Sequence, residues 1–103
     1  MRMKRNLGRH TSAEETKRNI LVFLAQHCTD ATRLAAKSTI GYAAYPDYSF
    51  KAPQGAAFAV AKIVSELERE GLVRYESTSI PFFRRGHHIT AKGLDALACY
   101  TDK

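Results

Sequence analysis

The sequence predicts an α+β domain, mostly α: a three-helix core, a two-stranded hairpin and a C-terminal helix. Three observations carry that expectation. Apolar residues recur at helical spacing over the first two-thirds of the chain, most clearly at Val60, Ile63, Val64 and Leu67. Gly71 closes that run and is followed at once by Leu72 and Val73, the start of a strand. Thr90 then stands between a returning strand and the helix-forming segment Ala91-Lys92-Gly93-Leu94, where its hydroxyl can cap the first turn. A chain of 103 residues with 45% apolar and 25% charged residues has the length and composition of one small globular domain. Residues 12–103 are assigned to it, and residues 1–11 form a basic tail expected to be flexible.

Helix one opens on Ser12-Ala13-Glu14-Glu15, a capping-box pattern in which the serine hydroxyl and Glu15 satisfy each other's free amides. Ile20, Phe23, Leu24 and His27 share one face, and the helix is expected to stop near Cys28. Thr29 or Asp30 can cap helix two, Ala31 to about Tyr42, with Leu34, Ala35 and Ile40 packed on helix one. Between Gly41 and Pro53 the chain is aromatic and turn-rich. Pro46 disfavours a helical Tyr45 and Pro53 favours an extended Ala52, which predicts a loop or a short strand. Its tyrosines and Phe50 can stack on bases or a ligand, but covering the open side of a small core is the preferred reading.

Helix three is predicted from about Gln54 to Glu70. With Val60, Ile63, Val64 and Leu67 turned inward, the helical period puts Phe58, Lys62, Ser65 and Arg69 outside. The hairpin strands are predicted at about Leu72–Ser77 and Phe83–Ile89. The tip between them is apolar, so Ile80, Phe82 and Phe83 are candidates for contact with the body, a second subunit or another protein. The last helix, Ala91 to about Tyr100, presents Leu94, Leu97 and Ala98 on one face, for the core or for a dimer seam.

Two motifs in this stretch resemble those of a known family. The pattern Leu67-Glu68-Arg69-Glu70-Gly71-Leu72-Val73, followed by Ile89-Thr90-Ala91-Lys92-Gly93, is similar to the end of the recognition helix and the exit from the wing in bacterial winged-helix regulators of the MarR and PadR groups. The resemblance covers roughly residues 54 to 100, and the long segment between Gly41 and Gly55 departs from the tight turn usual upstream. It implies a winged helix-turn-helix that binds duplex DNA as a transcriptional regulator, with repression by site occupancy the expected mode. It also implies terminal helices that pair two subunits, so a homodimer is expected.

The charge agrees with a polyanionic partner. Sixteen Lys and Arg against ten Asp and Glu give a formal net charge of +6, enough to attract nucleic acid without any sequence code. Candidate contacts are Lys51, Gln54, Phe58, Lys62 and Ser65 around helix three, and Arg74, Arg84, Arg85 and His87 on the hairpin. Arg2, Lys4, Arg5 and Arg9 in the tail are candidates for phosphate contact. Gln54 can pair with adenine, Lys62 with guanine or a phosphate, and Ser65 with either, whereas the neighbouring alanines offer only methyl groups. The competing reading is a protein-binding winged helix, such as an inhibitor from a mobile element, acting through the basic face or the apolar tip.

Other classes find little purchase. Cys28 and Cys99 are too few for a disulfide framework and are expected to be buried thiols. His87 and His88 are adjacent on a strand, so they point to opposite faces and do not chelate as a pair, and no metal or cofactor is expected. The sequence shows no phosphate-cradling glycine loop, serine elbow or acid–base carboxylate pair, so an enzyme is not expected. No stretch is apolar enough to span a bilayer and the N-terminal segment lacks a signal peptide's apolar run, so a cytoplasmic protein is expected.

Overall fold

The computed structural model describes residues 13–30, 32–79 and 84–101. These residues fold as α1 (Ala13–His27), α2 (Lys37–Ala44), α3 (Pro53–Arg69), β1 (Val73–Thr78), β2 (Arg84–Ile89) and α4 (Ala91–Thr101). The architecture is α+β and mostly helical, with one antiparallel two-stranded sheet. Helices one, three and four begin and end within a residue or so of their expected limits. Ser12, the expected cap of α1, lies outside the described residues.

The core is a single cluster in which α1 supplies Ile20, Leu21 and Leu24, α2 supplies Ile40 and Ala44, and α3 supplies Val60, Val64 and Leu67. The period of α3 therefore reads as expected, except that Ile63 sits at the edge and Ala56 is fully buried. On α1 the buried stripe takes in Leu21, while His27 is exposed and stacks with Phe23 at 5.0 Å between ring centroids. Helices α2 and α3 cross with their backbones in contact: a Cβ on Gly41 would stand 2.2 Å from the Ala56 carbonyl oxygen. From α1, Asn19 Nδ2 donates to the Ala44 carbonyl at 3.0 Å and ties off the end of α2.

Helix two is shorter than expected and starts later. The chain turns at Thr32 and Arg33 and is extended at Ala35 and Ala36, and Ala35 pairs with His87, each amide donating to the other's carbonyl at 3.0 and 2.8 Å. Asp30 does not cap a helix. Its carboxylate accepts from the Thr32 amide at 2.9 Å and from the Thr32 hydroxyl, a local turn that also holds its pKa below the ordinary value. The extended segment flanks β2 on the side away from β1, where the Ile89 amide also donates to the Cys28 carbonyl at 3.0 Å.

Residues 45–52 form the connection from α2 to α3, and no strand occurs there. Both prolines act as expected: Tyr45 is non-helical and Ala52 is extended, with Pro53 opening α3 at a position where a missing amide proton costs nothing. Phe50 makes edge-on ring contacts with Tyr42, Tyr45 and Tyr48. Tyr45 is buried, and Tyr48 and Phe50 pack on the core, so this aromatic loop covers the α2–α3 junction.

The end of α3 is locked by two backbone bonds. Gly71 takes φ +82°, its amide donates to the Glu68 carbonyl, and the Leu72 amide donates to the Leu67 carbonyl, both at 3.0 Å. Leu67 and Leu72 are buried side by side in the same core, completing a Schellman motif. Thr90 caps α4 by accepting from the Gly93 amide at 3.0 Å and donates its own hydroxyl proton to the Gly71 carbonyl at 2.6 Å. Gly93 lies against this turn so closely that a Cβ would stand 2.2 Å from the Leu72 carbonyl oxygen. Helix α4 rests mainly on the surface. Gly93 is its one buried position among those described, Leu97 packs partly on the core, and Cys99 is exposed, contrary to the expectation of two buried thiols.

Candidate nucleic-acid interface

The exposed face of α3 is sharply set off from its buried one. Gln54, Phe58, Lys62, Ser65 and Arg69 are all exposed and fall within one narrow stripe opposite Ala56, Val60, Val64 and Leu67. Phe58 stands at its centre and is 85% exposed, the most exposed large apolar residue described. Lys51, just before the helix, is also exposed. The stripe carries two cations and no carboxylate, because the acids of α3 lie to its sides and face other elements. Lys17 of α1 lies 3.9 Å from the carboxylates of Glu66 and Glu70, and Glu68 meets His87 of β2. Among the described residues, Lys62 and Arg69 have no ion-pair partner.

The hairpin divides its cations between two faces. The register pairs Arg74 with His88 and Arg85 with Ser77, so Arg74 and Arg84 share one face while Arg85 shares the other with Tyr75 and His87. Arg74 is exposed but its Nε lies 2.9 Å from the Glu76 carboxylate, which offsets its charge. The guanidinium of Arg84 donates to the Thr32 carbonyl, fastening the hairpin to the segment after α1. Arg85 and Lys37 flank a cleft of about 200 Å³ lined also by Ala36, Tyr75, Gly86 and His87. The sequence alone hides Lys37, because the longer helix it predicts has this residue in its interior. In the structure it is the first residue of α2, whose cap position, Ala36, offers no side-chain acceptor.

His87 is not a surface contact. Its side chain is 3% exposed, and Nε2 lies 2.6 Å from Glu68 Oε2, joining β2 to the end of α3. Burial pushes its pKa below the ordinary value against the opposing pull of Glu68, and Nδ1 is buried without a hydrogen-bond partner. His88 is also largely buried, with Nδ1 2.8 Å from the Ile89 carbonyl and Nε2 3.4 Å from Glu76. No three His, Cys, Asp or Glu side chains come together as a metal site among the described residues.

Leu94 is 41% exposed, whereas Leu97 is half-buried. Arg2, Lys4, Arg5 and Arg9 of the tail and Ile80, Phe82 and Phe83 of the hairpin tip lie outside the described residues. A wider groove of about 770 Å³ lies between the end of α1, residues 32–36 and Arg84 and Arg85. No helix among the described residues is long and apolar enough to cross a membrane. No protein-family model, curated protein or solved structure matches the chain.

Proposed function

We propose that this protein is a winged helix-turn-helix that binds duplex DNA and regulates transcription, with repression by occupancy of its site the simplest mode. The observation that carries the reading is the outer face of α3: a solvated helical stripe with two unpaired cations, a glutamine, a serine and an aromatic ring, from which every flanking carboxylate has been drawn into contact with another element. A helix of this kind fits the major groove, where side chains reach base edges and cations meet phosphates.

Three further features support it. The order helix, extended segment, helix, helix, hairpin, helix is compatible with a winged helix, and the pairing of Ala35 with His87 gives the hairpin a third strand-like neighbour. The interlocked turns at Gly71 and Thr90 account for the two motifs that resemble MarR- and PadR-type regulators. Lys37 and Arg85 flank a cleft beside the uncapped start of α2, where free amides and two cations suit a phosphate. In this reading Lys51, Lys62 and Arg85 hold phosphates, and the exposed Leu94 side of α4 is the place for a second subunit.

The exposure of Phe58 favours one alternative, in which α3 faces a protein rather than DNA. The double variant Lys62→Glu, Arg85→Glu tests the primary reading. Loss of duplex binding with an unchanged circular dichroism spectrum is expected; unchanged binding overturns it.

A further inference from the structure

Phe58 presents the chemical problem that the DNA-binding reading leaves open. A phenylalanine that is 85% exposed, in a helix whose opposite face is fully packed, contributes nothing to the core. Its neighbours on the same surface, one turn away, are Gln54, Gly55, Ala61 and Lys62. Two of these are small, so a partner can approach the ring closely, and the others are polar and cationic, which matches a polyanion with apolar points along it.

A phenyl ring has no hydrogen-bonding atom. In the major groove, the edges of the four ordinary bases offer donors and acceptors and a single apolar group, the C5 methyl of thymine. The same methyl occurs on 5-methylcytosine. Gln54, four residues earlier, lies about 6 Å back along the helix axis, close to two steps of the about 3.4 Å base-pair rise. An amide at that position suits the paired acceptor and donor of adenine.

We infer that Phe58 is the specificity-determining residue of α3 and reads a pyrimidine C5 methyl, thymine in an A·T-rich site whose adenine is held by Gln54. The inference rests on the DNA-binding reading and names what that face selects. Methyl recognition here is a packing contact, so it depends on the ring and is indifferent to the salt that screens Lys62 and Lys51.

The test uses the full chain and four short alternating duplexes: A-T, A-U in which every thymine is replaced by deoxyuridine, G-C, and G-5-methyl-C. Alternation presents the pyrimidine in every register, and uracil removes the methyl while keeping the pairing edge. Wild type is expected to bind A-T over A-U by roughly fourfold for each buried methyl. In Phe58→Ala the ratio falls toward one while duplex binding persists, and the double comparison isolates the ring–methyl contact. A parallel preference for 5-methyl-C over C assigns the recognition to the methyl on either base, and its absence assigns it to thymine. Equal affinity of wild type for A-T and A-U, or a preference that survives in Phe58→Ala, overturns the inference and leaves the DNA-binding reading standing. Failure to bind any of the four overturns both.

Discussion

The hydroxyl of Thr90 donates to the carbonyl of Gly71 at 2.6 Å, and through that one bond the cap of α4 is fastened to the end of α3. The same oxygen accepts from the Gly93 amide, and the Thr90 amide donates to the Leu72 carbonyl at 3.1 Å. Two short patterns that stand about twenty residues apart in the chain are therefore one structural unit, which sets where the hairpin leaves the helix proposed to read DNA.

Replacing Thr90 by valine keeps the shape and removes the hydroxyl. The cap and the tie to Gly71 are lost together, and a destabilisation of about 1–2 kcal/mol is expected. Urea denaturation checks it: the midpoint falls with the slope unchanged, and Thr90→Ser restores most of the loss.

The two glycines of this unit fail for different reasons. Gly71→Ala forces a side chain into a left-handed conformation at φ +82° and is expected to cost about 1–2 kcal/mol. Gly93→Ala drives a methyl into the Leu72 carbonyl oxygen, with 2.2 Å between them before relaxation, and into Ile89 at 2.6 Å. Overpacking of that severity is expected to cost about 3 kcal/mol. Thermal or chemical denaturation of both variants should rank Gly93→Ala as the more damaging.

Much of this was legible in the sequence because the signals are local. The period of α3, the positive-φ glycine after it and the cap at Thr90 each depend on residues within a turn of one another. The segment 32–36 was not legible. Alanine and leucine there favour a helix, yet Ala35 is held extended by backbone bonds to His87, some fifty residues away, and that pairing overrides the local preference. His87 was misread for the same reason: its partner Glu68 lies on a different element, so nothing near it in the chain marked it as buried. The outer face of α3 was legible from its period, but the removal of Glu66, Glu68 and Glu70 to flanking partners was not, since it needs Lys17 and His87 in place.

Stability should fall in mild acid because of His87. Burial lowers its folded-state pKa below the ordinary 6.5, with Glu68 opposing and Lys37 assisting, while Tyr75 covers the ring. The unfolded chain therefore takes up a proton first as pH drops. This contribution is fully present above about pH 6.5 and is lost progressively below it, until the folded imidazole itself protonates. Denaturation midpoints between pH 8 and pH 5 should fall more steeply for wild type than for His87→Leu. An NMR titration of the His87 ring with a midpoint above 6.5 would show that Glu68 outweighs burial.

Sequence-independent attraction should follow the cations outside the carboxylate pairs. Removing Lys62 or Lys51 is expected to reduce the slope of log affinity against log salt by about one each, whereas Arg74→Ala changes it less, because Glu76 already offsets that charge. Duplex titrations at several salt concentrations distinguish the three variants.

The central claim is tested most directly by titrating the full chain against a labelled duplex taken from upstream of its own gene and against a random duplex, across a salt series. Tight binding that prefers the upstream duplex, and keeps that preference as salt weakens both, is the predicted result. No binding to either duplex at low salt would contradict the claim.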